Sequence, residues 1–395
     1  MKNYLKLIGF QIFVLVAFGC AENESKSKLM ISGSDSIVTL DASLLRDADS
    51  VVYSIPLVIP IPVLSKNTNL VIYDFADGAL KQFNLNGFQR SFNPIQEGPN
   101  RLEGEYFKGL GFFQESYDSL LIGSNTEIAV YNLLEEKYNN IPMDNFPHCV
   151  SFNDTFQEIF YKKIGEEDVL ISQNGYPCYD LVTLSQSVTL KSFNEKFFLR
   201  IVSSKREKPI YTLKLPDLKL KNLYERSRLV ITYNDTDKRF YAMLNPLSYL
   251  FIYSLDEKTL ELQLEEYWDL DLKNNELPID YFIENEISSE KANSSLEYNF
   301  ELSVLDSFGE YVLVSYQPSK DLIYKNPAEA PFSSHSFLAI VNLKNKEIRT
   351  FALNFDEFQY YGVSDGRLWI YDVISSENSG TTVFKLPEIK KIIGN

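Results

Sequence analysis

Short apolar runs closed by polar turns recur along almost the whole chain, and this recurrence limits what it can fold into. Residues 69–73, 119–123, 127–131, 228–233, 249–253, 310–315, 337–341 and 367–371 are each rich in β-branched or aromatic side chains and flanked by Asn, Asp, Gly, Ser or Lys. Runs of that length and composition are strands. No long stretch of the mature chain combines a capping residue with apolar positions three and four apart, except for a weak pattern at Leu44–Ser50. The expected class is all-β.

The runs pair into a repeating unit of strand, polar turn and second strand. Copies stand at Ile72–Phe83, Val130–Tyr138, Ile252–Leu260 and Ile340–Ile348. Tyr73 and Tyr131 are about 60 residues apart, Tyr131 and Tyr253 about twice that, and Tyr253 and Val341 about 90, so the last interval holds an insertion or an irregular unit. Each turn has the Asp, Asn, Glu, Lys or Gly that a hairpin between the outer strands of a propeller blade requires. A single β-propeller is therefore expected, with about six blades and seven as the alternative. In such a ring each sheet buries both faces against its neighbours. Closure should pair an early strand, Ile37–Leu40 or Val51–Ser54, with the C-terminal Thr382–Leu386.

The N-terminus carries an address. Lys2 and Lys6 precede an apolar run, Leu7–Ala17, too short to remain as a membrane-spanning helix. The run ends in Ala17, Phe18, Gly19 and Cys20, which resembles a bacterial lipobox, with Ala17 where Leu is commoner and a bulky Phe18. The alternative is an ordinary secretory leader with an unrelated cysteine. The polar stretch after Cys20 reads as a solvated tether. The expected organisation is a lipoprotein signal peptide at 1–19, a flexible tether at 20–33 and a propeller domain at 34–395, with acylated Cys20 held in membrane lipid.

Charge narrows the partners. The chain has 54 acidic and 38 basic residues, and loss of Lys2 and Lys6 with the leader takes the net charge from −16 to −18. That sign argues against nucleic acid and against adhesion to anionic headgroups. Apolar residues make up 45% of the chain, with 28 Phe and 25 Tyr, enough for a large core. Once Cys20 is acylated, Cys149 and Cys178 are the remaining thiols, either a disulfide pair or two buried small apolar groups.

Several features taken together resemble a family. The segment Gln96–Asn100 carries a Gly-Pro turn after the first hairpin, followed by Gly111–Phe113, Tyr117–Leu120 and a late strand at Val363–Trp369. With the lipobox, these resemble uncharacterised six-bladed-propeller-like lipoproteins of Bacteroidetes-type bacteria. The resemblance implies the fold and an outer-membrane location, on the periplasmic or cell-surface side, and assigns no reaction.

Catalytic motifs are sparse. His148 and His335 are the two histidines, and adjacent His148 and Cys149 would point to opposite faces of a strand. Gly109, Leu110 and Gly111 lack the remainder of a phosphate-binding loop. Glu97, Asp118, Asp180 and Asp365 are candidates for a carboxylate pair but read more simply as turn formers. Asn234–Asp237 offers oxygen ligands for calcium, or a hairpin turn between Tyr233 and Phe240. No catalytic residue, metal ligand or cofactor is assigned. The distinctive element is the loop with Glu97 and Arg101, near Arg90, which either braces one blade on the next or presents its arginines to an anionic ligand. The expected role is a membrane-displayed binding module for a protein, peptide or glycan; the rival is a hydrolase or lyase acting on an extracellular glycan.

Overall fold

The computed structural model describes residues 28–30, 38–39, 45, 48–58, 60–66, 68–74, 76–87, 89–93, 107–112, 119–124, 128–132, 135, 137–140, 157–173, 199–203, 205, 210–212, 229–244, 248–270, 272, 300–318, 335–354 and 356–394. Strands dominate them. Three short N-terminal strands, β1 (Lys28–Met30), β2 (Val38–Thr39) and β3 (Ser50–Tyr53), come first. A meander of β4 (Pro60–Lys66), β5 (Asn69–Asp74), β6 (Ala79–Asn84) and β7 (Gln89–Phe92) follows. The next is β8 (Phe107–Phe112), β9 (Ser119–Ser124), β10 (Ile128–Asn132) and β11 (Lys137–Asn140). A third comprises β12 (Gln157–Ile164), β13 (Glu167–Gln173), β14 (Leu199–Ser203) and β15 (Ile210–Thr212). These two share one eight-stranded sheet, because β8 and β12 pair in parallel through Gly109 with Gln157 and Leu110 with Glu158.

Two more meanders carry extra strands. One is β16 (Leu229–Asn234), β17 (Arg239–Leu244), β18 (Tyr249–Asp256) and β19 (Glu261–Asp269), with β1 added in parallel outside β19. The other is β20 (Phe300–Phe308), β21 (Tyr311–Pro318), β22 (His335–Asn342) and β23 (Glu347–Asn354), with β2 added in parallel outside β23. The last sheet is β24 (Phe358–Ser364), β25 (Arg367–Asp372) and β26 (Thr382–Lys385), completed by β3. The first strands β4, β8, β12, β16, β20 and β24 each lie against the next, and β24 returns to β4. Meanders packed side by side around such a ring form a β-propeller, as the sequence pattern predicts.

The period-two alternation of a strand explains the packing. In β17 and β18, Phe240, Ala242, Tyr249, Phe251 and Tyr253 face the β12–β15 meander, whereas Tyr241, Met243, Leu250 and Ile252 face the β20–β23 sheet. In β5, Val71 packs toward Leu120, Ile122 and Ala129, while Leu70 and Ile72 pack toward Trp369 and Phe384. The apolar stretches of β5, β17 and β18 are continuous because both of their sides are covered.

Closure follows one of the two expected pairings. Strand β3 is antiparallel to β26, with Val52 opposite Val383 and Tyr53 opposite Thr382, whereas Val38 and Thr39 pair with β23. Phe384 is buried edge-on among Tyr53, Phe83 and Trp369 at centroid distances of 6.3, 5.4 and 5.2 Å. Arg367 pairs with Asp49 at 2.6 Å, and Lys81 holds the crossing from β3 to β4 through Pro56 O at 2.9 Å and Asp74 at 2.7 Å. Burial alone would lower the pKa of the Lys81 ammonium; hydrogen bonds and charge from Asp74 and Asp77 outweigh it and hold the value above normal.

Two expectations are corrected. The copy at Ile72–Phe83 joins the middle strands β5 and β6, whereas the other three copies join outer strands. What recurs is a turn rather than a fixed blade position. Asp74, Asn234, Asp256 and Asn342 each end a strand and accept main-chain N–H groups of the turn, and the fourth residue onward, Gly78, Lys238, Leu260 or Lys346, has positive φ. The long interval between the last two copies contains 273–299 and 319–334, outside the described residues. The chain also forms two short helices absent from the sequence expectation, α1 (Val373–Ser379), capped by Asp372 and Gly380, and α2 (Ile389–Gly394). Of Leu44–Ser50, Leu45 is helical and buried in the seam beside Leu353 and Ile389.

Phe384→Ala should destabilise the fold by about 3–5 kcal/mol, the usual cost of removing a buried aromatic ring, seen as a lower urea midpoint. An unchanged midpoint would show that this seam does not hold the ring closed.

Candidate functional site

Three first strands converge at the middle of the ring. In β20, Asp306 lies between Leu305 and Ser307 and is buried. Its Oδ2 accepts from the Tyr360 hydroxyl at 3.0 Å and from the Ser65 hydroxyl at 3.1 Å. Ser65 Oγ in turn accepts from the Val363 N–H at 2.9 Å. One carboxylate thus joins β4, β20 and β24, the strands on either side of the closure.

Gly362 makes this approach feasible. It lies in a bulge of β24 with φ +155°, and a Cβ there would stand 2.4 Å from both Cβ and Oγ of Ser65. Any side chain would push β4 off β24 and open the cluster.

Burial pushes the Asp306 carboxyl up to about 7, against the opposing pull of hydrogen bonds from Tyr360, Ser65 and the Val363 amide. Tyr360 is raised well above the ordinary phenol value, by burial first and then by the Asp306 charge. Near neutral pH the carboxyl can therefore gain or lose a proton, while the phenol keeps its own and acts as a hydrogen-bond donor. Its place in the packed centre equally makes it a lock between blades. Among the described residues, no group of three or more His, Cys, Asp or Glu side chains could hold a metal ion.

The sequence-derived candidates do not converge on this cluster. Arg90 is half-buried in β7, paired across the ladder with Gln82. Glu97 and Arg101 lie outside the described residues, as do Cys20, Asp118, His148, Cys149, Cys178 and Asp180. His335 starts β22. Asp365 and Gly366, both with positive φ, form the two-residue turn between β24 and β25, so Asp365 is a turn former. Asn234–Asp237 is the β16–β17 hairpin turn: Asn234 Oδ1 accepts from Thr236 N at 2.9 Å, and its Nδ2 donates to Gly309 O of the neighbouring sheet at 2.8 Å. Asp306 was missed because an acid in a strand of mixed apolar and polar residues, which also holds Glu301, has no sequence signature. The remaining clue was Gly362 inside a strand pattern, a mark of close backbone approach.

The strand ends are unequal. Strands alternate in direction within a meander, so turns from first to second and third to fourth strand lie at one end of the ring and the other connections at the opposite end. At the first end the connections are short in residues, the longest being 113–118 and 204–209. From the other end leave 93–106, 141–156, 174–198, 213–228, 270–299 and 319–334. The loop with Glu97 and Arg101 belongs to this second set.

The chain matches no known family model and no curated protein. Its fold is similar to solved structures. A member of the DUF4221 family from Bacteroides vulgatus aligns with a TM-score of 0.56 at 13% identity, over 86% of this chain and 96% of that one. A protein from Bacteroides fragilis aligns at 0.48 and 11% identity, over 91% and 99%. Virginiamycin B lyase from Staphylococcus aureus aligns at 0.45 and 10% identity, over 87% and 99%. At these identities the likeness concerns the fold alone. No helix among the described residues is long and apolar enough to cross a membrane.

The Asp306 cluster makes stability depend on pH in a defined direction. The folded carboxyl titrates near 7 against an ordinary 3.8, so between these values the folded chain holds a proton that the unfolded chain releases. Stability should therefore fall as pH rises from about 4 to about 7 and then level off. Comparing urea midpoints of wild type and Asp306→Asn across that range should show the substitution flattening this component. Identical slopes would exclude a raised Asp306 pKa.

Proposed function

We propose that this chain is a six-bladed propeller lipoprotein, anchored through Cys20 in the outer membrane of a Bacteroidetes-type bacterium, that binds a protein, peptide or glycan at one end of its propeller. The observation that carries this reading is the inequality of the two ends. Long connections concentrated at one end of a rigid scaffold are where binding residues are placed, because a loop can vary without disturbing the sheets. Six blades are supported by the six first strands that follow one another around the middle, and relatedness to Bacteroides proteins by the likeness to the DUF4221 member.

Arg90 leads into one of the long connections, and Glu97 and Arg101 belong to it. On a strongly acidic chain these arginines are suited to an anionic group of the partner. A hydrolase or lyase is the second reading. Asp306 and Tyr360 favour it, as a carboxyl titrating near neutrality beside a phenol.

The two are separated by capturing partners with the acylated protein from its native membrane and repeating the capture with Arg90→Ala/Arg101→Ala and with Asp306→Asn. The arginine variant should lose its partner at unchanged thermal stability. Turnover of an envelope glycan that disappears in Asp306→Asn would instead favour the enzyme, and partner capture unaffected by the arginine change would remove the loop from the site. Cys20→Ser should move the protein from the membrane to the soluble fraction; wild type recovered there would end the lipoprotein assignment.

A further inference from the structure

We propose that the seam between the last and the first blade, at the end of the ring from which the long connections leave, docks a protein segment whose apolar side chains are flanked by lysine or arginine. This rests on the reading that the long-connection end is the binding end, and it names the partner's chemistry there on residues other than Arg90 and Arg101.

Exposure singles out the place. Among the described residues, the large apolar side chains open to solvent are Val52, Val58 and Ile374, at 63%, 67% and 48% exposure. All three belong to the closing blade or to the crossing that leaves it. Val58 lies in the crossing from β3 to β4, and Ile374 lies in α1 between β25 and β26, so both stand at the long-connection end. Their chain neighbours Leu57 and Val373 pack on one aromatic cluster with Tyr53, Tyr371 and Phe384. Asp74 links the two sides, because it accepts from the Val58 N–H at 3.0 Å and its charge acts on Tyr371. Apolar residues exposed singly are ordinary, whereas two on one rim offer a partner area to bury.

Charge selects the occupant. At this end the described residues of the two blades and their connections carry Asp74, Asp77, Asp356, Glu357, Asp372 and Glu377, six carboxylates, against the single ammonium of Lys81. Lys81 is buried between Asp74 and Asp77 at 2.7 and 2.9 Å, so its charge is spent on them, while Asp356 and Glu377 are exposed. Apart from Arg90 on the outer strand β7, the described basic residues of these blades, Lys66, Arg367, Lys385, Lys390 and Lys391, lie at the opposite end. A second copy in a two-fold contact would bring the same acids face to face, and anionic headgroups would be repelled. The open side chains are aliphatic and Tyr53, Tyr361 and Tyr371 are buried, which suits a polypeptide better than the face of a sugar ring. A basic segment would cover Val58 and Ile374 with its apolar residues and set its cations against Asp356 and Glu377, an apolar centre inside a charged rim.

Two dye-labelled octapeptides test this by fluorescence anisotropy, one with four leucines between two pairs of lysines and one with glutamates in place of the lysines. The protein is the full mature chain with Cys20→Ser, because acyl chains and their lipid would take up leucine-rich peptides. The lysine peptide should bind about tenfold more tightly than the glutamate peptide and weaken about tenfold on raising salt to about 0.5 M. Val58→Ser/Ile374→Ser should weaken it about fivefold at unchanged thermal stability, since both side chains are exposed. Asp356→Lys/Glu377→Lys should weaken it about tenfold, whereas Glu257→Lys/Glu347→Lys, the same charge change at the opposite end, should alter it less than about twofold. Equal binding of the two peptides, equal losses from charge reversal at either end, or no effect of Val58→Ser/Ile374→Ser would each overturn the proposal. Arg90→Ala/Arg101→Ala should leave the lysine peptide bound. Silent seam substitutions together with a membrane partner lost in that arginine variant would remove the seam and keep the binding end; the reverse result would keep the seam and remove the arginine loop.

Discussion

Among the described residues, sheets such as β5–β6 and β16–β19 are apolar on both faces, and that constraint governs the rest of the structure. A sheet such as β16–β19, with Phe240, Phe251 and Tyr253 on one side and Tyr241, Met243 and Ile252 on the other, cannot stand at the outside of a layered fold. It needs a neighbour on each side, and so does that neighbour, so the stack ends only by returning to its start. The place of return is therefore where the chain spends its most specific interactions: the β3–β26 pairing, the ring cluster around Phe384, the buried Lys81 ion pair and the Asp306 cluster all stand within the two seams that flank it.

Asp306 is of interest because it is energetically costly. A carboxyl forced toward neutrality by burial is a poor choice for stability alone, since an apolar group of similar size would pack without desolvation. It does fix geometry. Three donors from two other strands must be aligned for the carboxyl to be satisfied, and Gly362 leaves no slack between β24 and β4. A polar contact of this kind distinguishes one register of closure from a slipped one, where greasy seams by themselves tolerate small shifts.

The N-terminal segment adds an outer belt. Strands β1, β2 and β3 lie in turn on the edges of three successive sheets, and Leu45 is set into the core between two of them. Edges that would otherwise expose unpaired main-chain groups are covered by these short strands.

The sequence by itself determined what depends on near neighbours along the chain. Alternating apolar side chains specified strands buried on both sides; Asp and Asn at strand ends specified tight turns at Asn234–Asp237 and Asp365–Gly366; the closing role of Thr382–Leu386 with an early strand was legible, while the choice of Val51–Ser54 over Ile37–Leu40 fell to the structure. Only tertiary structure decided what depends on distant contacts. The turn shared by Asp74, Asn234, Asp256 and Asn342 has the same local chemistry whichever pair of strands it joins, so its spacing could not show that one copy lay between middle strands. Nor could any local pattern bring Ser65, Asp306 and Tyr360 together, since they are separated by most of the chain and meet only because the ring closes.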